Sequence, residues 1–502
     1  MLSLILIIAI SAVFVECTVP WASKHSHMCD AADSGPGYCS PEAAILKHKR
    51  EEILYVVCIS LQSSKPDYLS VVDVNPKSAT YSKVISRLYM PKQKVKDELH
   101  HFGWNTCSSC HHDKKMKRNK LIFPCLNSDR IYIVDTTNER KPKHHKTIEP
   151  EQLYALGLSS PHTTHCLPTG EIMISTMGDG PDGNSKGQFL MLDGKNNFKV
   201  KGTWSDHDTK YGYDFWYQPY FDIMVSSEWG APKAFKTGLN LTQLNDYYGH
   251  SLNFWSWKQK KLIKTIDLGT TSGWLPLETR FLHNPKEHHG YVGCALSSTI
   301  FHINYKSKTW TAKKVISVPT KTVKNWWVGL DEMPGVITDI LISMDDKYLY
   351  LSNWVHGDIR QYDISKRDKP KLVGQVFVGG SIVRGGPVKV VKDKELKSQP
   401  KALYVKGKKI EGGPQMLQLS LDGKRLYVTT SLFSNWDKQF YPELMKKGAC
   451  LLQIDVNTVK GGLRINENFL VDYGAEPKGP VLAHEIHYPG GDCSSDIFIA
   501  HD

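Results

Sequence analysis

IYIVDTTNERKPKHHKTI, residues 131–148, joins two short β-type runs across a polar turn: an apolar run ends at Asp135, and a second closes on Ile148. The same unit recurs along the chain. It reads YLSVVDVNPKSATYSKVI around Asp73, FLMLDGKNNFKVKGTW around Asp193 and LNFWSWKQKKLIKTI around Ser256. It returns as FHINYKSKTWTAKKVI around Asn304, IRQYDISKRDKPKLVGQV around Asp363 and LLQIDVNTVKGGLRI around Asp455. That is seven copies, with reference positions 73, 135, 193, 256, 304, 363 and 455, so the steps run from 48 to 92 residues. A four-stranded propeller blade needs about 40–45 residues, and loop insertions lengthen the step. A shorter echo, SMDDKYLY (Ser343 to Tyr350) against SLDGKRLY (Ser420 to Tyr427), repeats a Ser/Asp turn feeding a strand.

Helical periodicity is weak throughout. The expected fold is therefore all-β, a single seven-bladed β-propeller with long loop insertions; hairpins divided between two sandwiches are the competing arrangement. The widest step holds Gly379 to Gly413, rich in Gly and Lys, which reads as a long surface excursion. Length alone, 502 residues, suggests several domains. The repeat instead groups residues 18–502 into one ring behind a leader.

That leader is LSLILIIAISAVFV, Leu2 to Val15, an uncharged apolar run of 14 residues. It is shorter than the roughly 20 residues of a membrane-spanning helix and has the length of a signal-peptide core, with small residues after it at Cys17-Thr18. Only the amino terminus supplies positive charge before it, and an N-terminal strand or buried helix is the alternative. Residues 1–17 are thus read as a signal peptide, the mature chain as secreted or lumenal, and stable membrane insertion is not expected. Asn240-Leu241-Thr242 becomes a usable glycosylation acceptor in that compartment. Ten cysteines remain after Cys17, too few for a disulfide-built fold.

A net charge of +12 invites a nucleic-acid reading, but the lysines are scattered among acidic residues. No zinc finger, basic arm or RNP signature accompanies them. Nucleic acid is not an expected partner.

The 21 histidines carry more information by placement than by number. Five atypical strings lie in distant parts of the chain: ELHHFGW (Glu98 to Trp104), PHTTHC (Pro161 to Cys166), RFLHNP (Arg280 to Pro285), SNWVHGD (Ser352 to Asp358) and AHEIH (Ala483 to His487). A propeller directs segments from every blade toward one central channel, so distant imidazoles can converge there. Imidazoles without carboxylates suit copper, zinc or iron. The candidate ligands are His100, His101, His165, His283, His356 and His484; each alone is more ordinarily a hydrogen-bonded core histidine. Cys107-Ser108-Ser109-Cys110 is the sole C-x-x-C, without the second pair that zinc requires, and reads as a local disulfide or two buried thiols. Cys58 lies in the apolar run EILYVVCI. Nucleophile-elbow, phosphate-loop and H-E-x-x-H patterns are absent.

Longer stretches carry a resemblance. HHFGWNTCSSC (His100 to Cys110), GYDFWYQP (Gly212 to Pro219), RFLHNP, GCALSSTI (Gly293 to Ile300), SNWVHGDIRQYDIS (Ser352 to Ser365), GGPQMLQLSLDGKRLYVTTSL (Gly412 to Leu432) and AHEIHYPGGDCSSDIF (Ala483 to Phe498) resemble the selenium-binding protein family, whose members include methanethiol oxidases. The resemblance covers about residues 35 to 498. It implies a propeller and copper-dependent oxidation of a small volatile thiol, methanethiol, by O2 and water to formaldehyde, hydrogen sulfide and hydrogen peroxide. Cys58 is similar to the family's selenium-linked cysteine, although Val57 stands where the family has proline. The family is usually intracellular, which makes a cytoplasmic location the alternative to secretion. In the mechanism this implies, Arg280 orients an anionic intermediate, while Glu98 and Glu485 are partners to the metal-binding histidines. Two other readings stay open: a selenium-binding or thiol-reactive protein without turnover, working through Cys58, and a propeller scaffold for protein partners.

Overall fold

The computed structural model describes residues 35–91, 94–327 and 330–500. The leader, residues 1–17, lies outside the described residues. Seven four-stranded antiparallel sheets follow one another around a ring. In chain order the innermost strands of blades two to seven are Gly103–Trp104, Ser159–Cys166, Phe215–Gln218, Pro276–Phe281, Ile337–Ile342 and Leu417–Leu419. The first blade takes its innermost strand from the far end of the chain, Val481–His487.

Burial explains which parts of the blades the repeat revealed. Every innermost strand is buried along its whole length, as strands covered on both faces are. The outermost strands alternate, Lys199–Thr203 and Lys261–Asp267 most plainly. Each of the seven repeated hairpins forms the outer pair of its sheet, from Tyr68–Asp73 with Lys83–Tyr89 to Cys450–Val456 with Leu463–Asp472. A solvent-facing edge imposes strand alternation and lysine-rich turns; the interior does not.

The Ser/Asp echo is one turn used twice. Ser343 Oγ donates to Asp345 at 2.5 Å and accepts from the Tyr348 backbone at 2.9 Å. Ser420 repeats this with Asp422 at 2.6 Å and Arg425 at 3.0 Å. The excursion between blades six and seven is partly folded: Lys389–Lys392 joins Lys321–Trp327 and Leu330–Met333 in a three-stranded sheet, and Tyr404–Val405 pairs with Lys408–Lys409.

The ring closes where Val481–His487 pairs with Ile53–Ser60, placing Tyr55 opposite His487 and Cys58 opposite Ala483, with a bulge between Val56 and Cys58. Closure removes the edges that an open array would expose. A buried ion pair reinforces it. The Arg425 guanidinium, on the second strand of blade seven, grips Glu51, at the entry to blade one, with Nη2 2.9 Å from Oε2 and Nε on Oε1. Tyr427 donates to the same carboxylate at 2.7 Å. After the last strand, the chain packs on several blades: Asp492 accepts from Trp104 in blade two, Cys493 O faces His283 in the first turn of blade five, and Ser494 meets Gln418 in blade seven.

Removing one member of a buried ion pair leaves the other charge stranded, at about 3 kcal/mol or more. Glu51→Ala is expected to lower the urea midpoint accordingly, with Asp422, 3.1 Å from Arg425, retaining part of the guanidinium's compensation. The double replacement Glu51→Leu with Arg425→Leu is expected to recover much of the loss. A Glu51→Ala midpoint equal to the parent's would show that closure does not depend on this pair.

Candidate metal centre

Three chain segments meet at the ring's centre. The first is Glu98 to Phe102, leading into blade two; the second is the inner strand of blade three; the third is the inner strand of blade one. Glu98 adopts a left-handed backbone (φ 55°), which costs energy for a side-chain-bearing residue. Its carboxylate accepts from Ser434 N at 2.9 Å and Ser434 Oγ at 2.7 Å, and its carbonyl accepts from Leu126 N. These bonds fix the turn that presents His100 and His101. In blade three a register shift between Pro161 and Thr164 interrupts strand alternation around His162.

Candidate ligand atoms of His100, His101 and His162 lie within 4.8 Å of one another. His484 stacks on His100 with ring centres 3.9 Å apart and an interplanar angle of 16°. It stands 5.3 Å from the His101 ring, while His101 and His162 are separated by 4.1 Å. All four are buried.

In three of these rings one nitrogen is committed and the other is free. His484 Nδ1 donates to the Ser431 carbonyl at 2.8 Å, His162 Nδ1 lies 3.0 Å from Thr163 Oγ1, and His101 Nδ1 lies 3.3 Å from Glu485 Oε1. The Nε2 atoms of His101, His162 and His484 are buried without a hydrogen-bond partner. Orphaned buried nitrogens are uncommon, and imidazoles grouped this closely form a soft-to-borderline donor set, with His100, His101 and His162 offering the convergent atoms and His484 stacked on His100. Burial, then repulsion from neighbouring histidines, keeps three of these imidazoles neutral: His484 is pushed down to about 3, and His100 and His162 fall well below the ordinary range. Neutral imidazole is the form that binds a metal. The residues present fit a bound copper ion.

Around the cluster, charge is arranged in a chain. Glu485 Oε1 is 3.3 Å from both His101 Nδ1 and His487 Nε2, and Oε2 accepts from Phe102 N. His487 Nδ1 meets Asp492 at 2.9 Å. Burial opposes the Glu485 anion, yet His101 and His487 outweigh it and hold the carboxyl below its usual range. Burial likewise opposes the His487 cation, but Asp492 and Glu485 push it up to about 10. A cavity of about 20 Å³, room for one water-sized molecule, lies among His101, His165, Glu278, Arg280, Glu485 and His487. A larger groove of about 640 Å³ runs between the excursion and residues 439–444, and contains none of these side chains.

His101, His100 and His484 converge as a group; His162, part of a histidine string but not among the chosen ligands, joins them. His165 stands beside the cavity with a free Nε2 and is held down to about 4 by burial. His283 and His356 are not brought into the group. His283 uses both nitrogens, Nδ1 toward Asp346 at 3.3 Å and Nε2 toward the Cys493 carbonyl at 3.1 Å. His356 donates Nε2 to the Met333 carbonyl at 3.1 Å, and its Nδ1 faces Gly335. Glu98 partners Ser434 rather than a histidine, so its part is to position the His100 turn. Arg280 reaches the cavity, but its charge is already engaged by Asp214 at 2.8 Å and Glu278 at 2.6 Å, leaving only Nε free. Cys58 is fully buried beside Ser70 at 3.4 Å, with burial pushing its thiol up to about 12. Cys107 and Cys110 are both free thiols.

The family model described as 56kDa selenium binding protein (SBP56) matches residues 32–499. The chain belongs to this selenium-binding protein family. Among family members, a methanethiol oxidase of Xenopus laevis is 60% identical over 481 residues, 94% of this chain and all of that one. A methanethiol oxidase of Homo sapiens is 57% identical over 474 residues, 93% of this chain and 98% of the other. The crystal structure of a hypothetical selenium-binding protein from Sulfolobus tokodaii superposes with a TM-score of 0.79 at 39% identity, covering 92% of this chain and 98% of that one. The family's fold thus carries the histidine group.

The His487 cation has a pH signature. Its folded pKa, about 10, stands above the ordinary 6.5, so its stabilisation is complete below 6.5 and is lost as pH rises toward 10. The difference in thermal midpoint between the parent and His487→Gln is expected to shrink across this window. A constant difference from pH 6 to pH 10 would contradict the charged pair.

Proposed function

We propose that this protein is a methanethiol oxidase whose His101, His162 and His484, with His100 packed against them, hold copper. The observation carrying this reading is the group of buried imidazoles with three unpartnered Nε2 atoms, one member of which, His101, lines a water-sized cavity. The relatives' names and high coverage support the substrate. The reaction balances as methanethiol, O2 and water giving formaldehyde, hydrogen sulfide and hydrogen peroxide. Bound copper would lower the pKa of the substrate thiol and supply the electron-transfer chemistry toward O2.

The chain's own residues do the rest. Glu485 fixes the His101 ring and the proton on its Nδ1, leaving Nε2 as the donor. Ser431 does the same for His484 through its carbonyl. His487 and Asp492 hold Glu485 in place as an anion within a buried chain. Arg280 contributes its remaining Nε–H to the wall of the cavity, which has room for one water beside His101.

His101→Ala, His162→Ala and His484→Ala are each expected to lower bound copper and the release of sulfide and peroxide from methanethiol together, by tenfold or more. Full copper and turnover in the His162→Ala protein would remove the assignment. His283→Ala, by contrast, is expected to retain copper.

We also propose that the leader directs this chain into the secretory pathway, where Asn240, which is exposed, would be accessible to glycosylation. Expression in a secreting eukaryotic cell is expected to yield medium protein whose N-terminus lies near residue 18 and whose mass falls on glycosidase treatment. Retention of residues 1–17 in a cytosolic product would reject this location.

A further inference from the structure

Cys107 does not face Cys110, its neighbour in the C-x-x-C. Its Sγ lies 2.7 Å from Cys166 Sγ, well inside van der Waals contact for two sulfurs. The two residues are 59 positions apart, in different blades. Cys107 follows the inner strand of blade two and immediately precedes the turn Ser108–Cys110, and Cys166 ends the inner strand of blade three. Both are buried.

Each side of the contact is held by its own hydrogen bonds. Ser108 N and Oγ both donate to Asp496 Oδ1 at 2.7 Å, and Arg118 pairs with the same carboxylate. Tyr217 Oη donates to the Cys166 carbonyl at 2.5 Å and to Ser109 Oγ at 3.2 Å. Ser109 Oγ sits 3.2 Å from Cys107 Sγ and 3.6 Å from Cys166 Sγ. Cys110 is the third thiol of the group: it also contacts Cys166, but its proton is directed to the Leu167 carbonyl at 3.0 Å, and the 2.7 Å sulfur–sulfur approach belongs to Cys107 and Cys166. Sulfurs this close stand nearer to a covalent bond than to two coordination positions on one ion, since both ligands of a metal must clear each other.

We infer that Cys107 and Cys166 form a dithiol site that a hydroperoxide converts to an inter-blade disulfide. One thiolate sulfur attacks a peroxide oxygen; the O–O bond breaks, leaving a sulfenic acid and one water. The second thiol displaces the sulfenic hydroxyl as another water, and the S–S bond forms. Two electrons leave the sulfurs, and the peroxide is reduced to two waters. The bond ties the segment bearing His100 and His101 to the strand bearing His162 and His165, closing a long loop between neighbouring blades.

The test uses the full chain, purified and fully reduced with a phosphine, then divided. One portion receives hydrogen peroxide; both are blocked with iodoacetamide in denaturant and mapped by peptide mass spectrometry. In the peroxide portion the Cys107 and Cys166 peptides are expected as one linked species, two hydrogens lighter than the pair, which separates on renewed phosphine treatment. The linkage is expected to persist in Cys110→Ser and vanish in Cys166→Ser. Separate alkylation of Cys107 and Cys166 after peroxide would overturn the site, as would a Cys107–Cys110 link; both outcomes are read on the unsubstituted chain, so a poorly folding variant does not blunt the test. The oxidised parent is also expected to melt at a higher temperature than the reduced parent. Equal midpoints would overturn the tie between blades.

Discussion

The pairing of Val481–His487 with Ile53–Ser60 is the contact on which the other features rest. An open row of seven sheets would leave two unpaired edges and no common axis. By returning the end of the chain to its beginning, one strand closes the ring and delivers His484 and Glu485 to residues nearly four hundred positions earlier. His100 and His101 arrive from the segment leading into blade two, which borders blade one, and His162 from blade three beyond it. Closure and assembly of the histidine group are therefore a single event. The Glu51–Arg425 ion pair at the same seam couples a surface-free electrostatic contact to that event.

Burying four imidazoles together is unfavourable to any that carries charge, and the structure meets this in two ways. Burial holds His100, His162 and His484 in the neutral form, and His101, His162 and His484 each have one nitrogen anchored and the other left open. Positive charge is moved one step outward, onto His487, where Glu485 and Asp492 flank it. Glu485 thus serves two histidines of opposite character, one a donor toward the centre and one a counter-ion. Hydrogen-bonded carboxylates that orient a metal-binding imidazole have this form elsewhere.

Much of the ring was legible because its outer hairpins face water. IYIVDTTNERKPKHHKTI shows a turn, an apolar run and a basic edge because each is selected by solvent. The inner strands gave little periodic signal: Gly103–Trp104 is two residues long, and Ser159–Cys166 is buried throughout and bulged. For the site, string composition found the right segments but could not say which nitrogens would be left over. His283 sits in as unusual a string as His101, yet Asp346 and the Cys493 carbonyl occupy it, and neither lies near it in sequence. His162 was passed over beside His165 because two positions in a strand separated by a bulge cannot be assigned faces from spacing alone. The same limit applies to Cys107. Spacing offers Cys110 as its partner, while folding supplies Cys166 from the next blade.

Opposite the histidines, the cavity wall holds Arg280 with Asp214, Glu278 and Asp339 close by. Three carboxyl groups cannot all ionise around one guanidinium in a buried place. Burial first, and then the neighbouring carboxylates, raise Glu278 well above the usual range; burial carries Asp339 to about 7, against the pull of Arg280. Within this wall Arg280 is paired with Asp214 at 2.8 Å and Glu278 at 2.6 Å. Arg280 is thereby a fixed part of the wall, held by two acids and stacked over Trp216, rather than a free cation waiting for an anion.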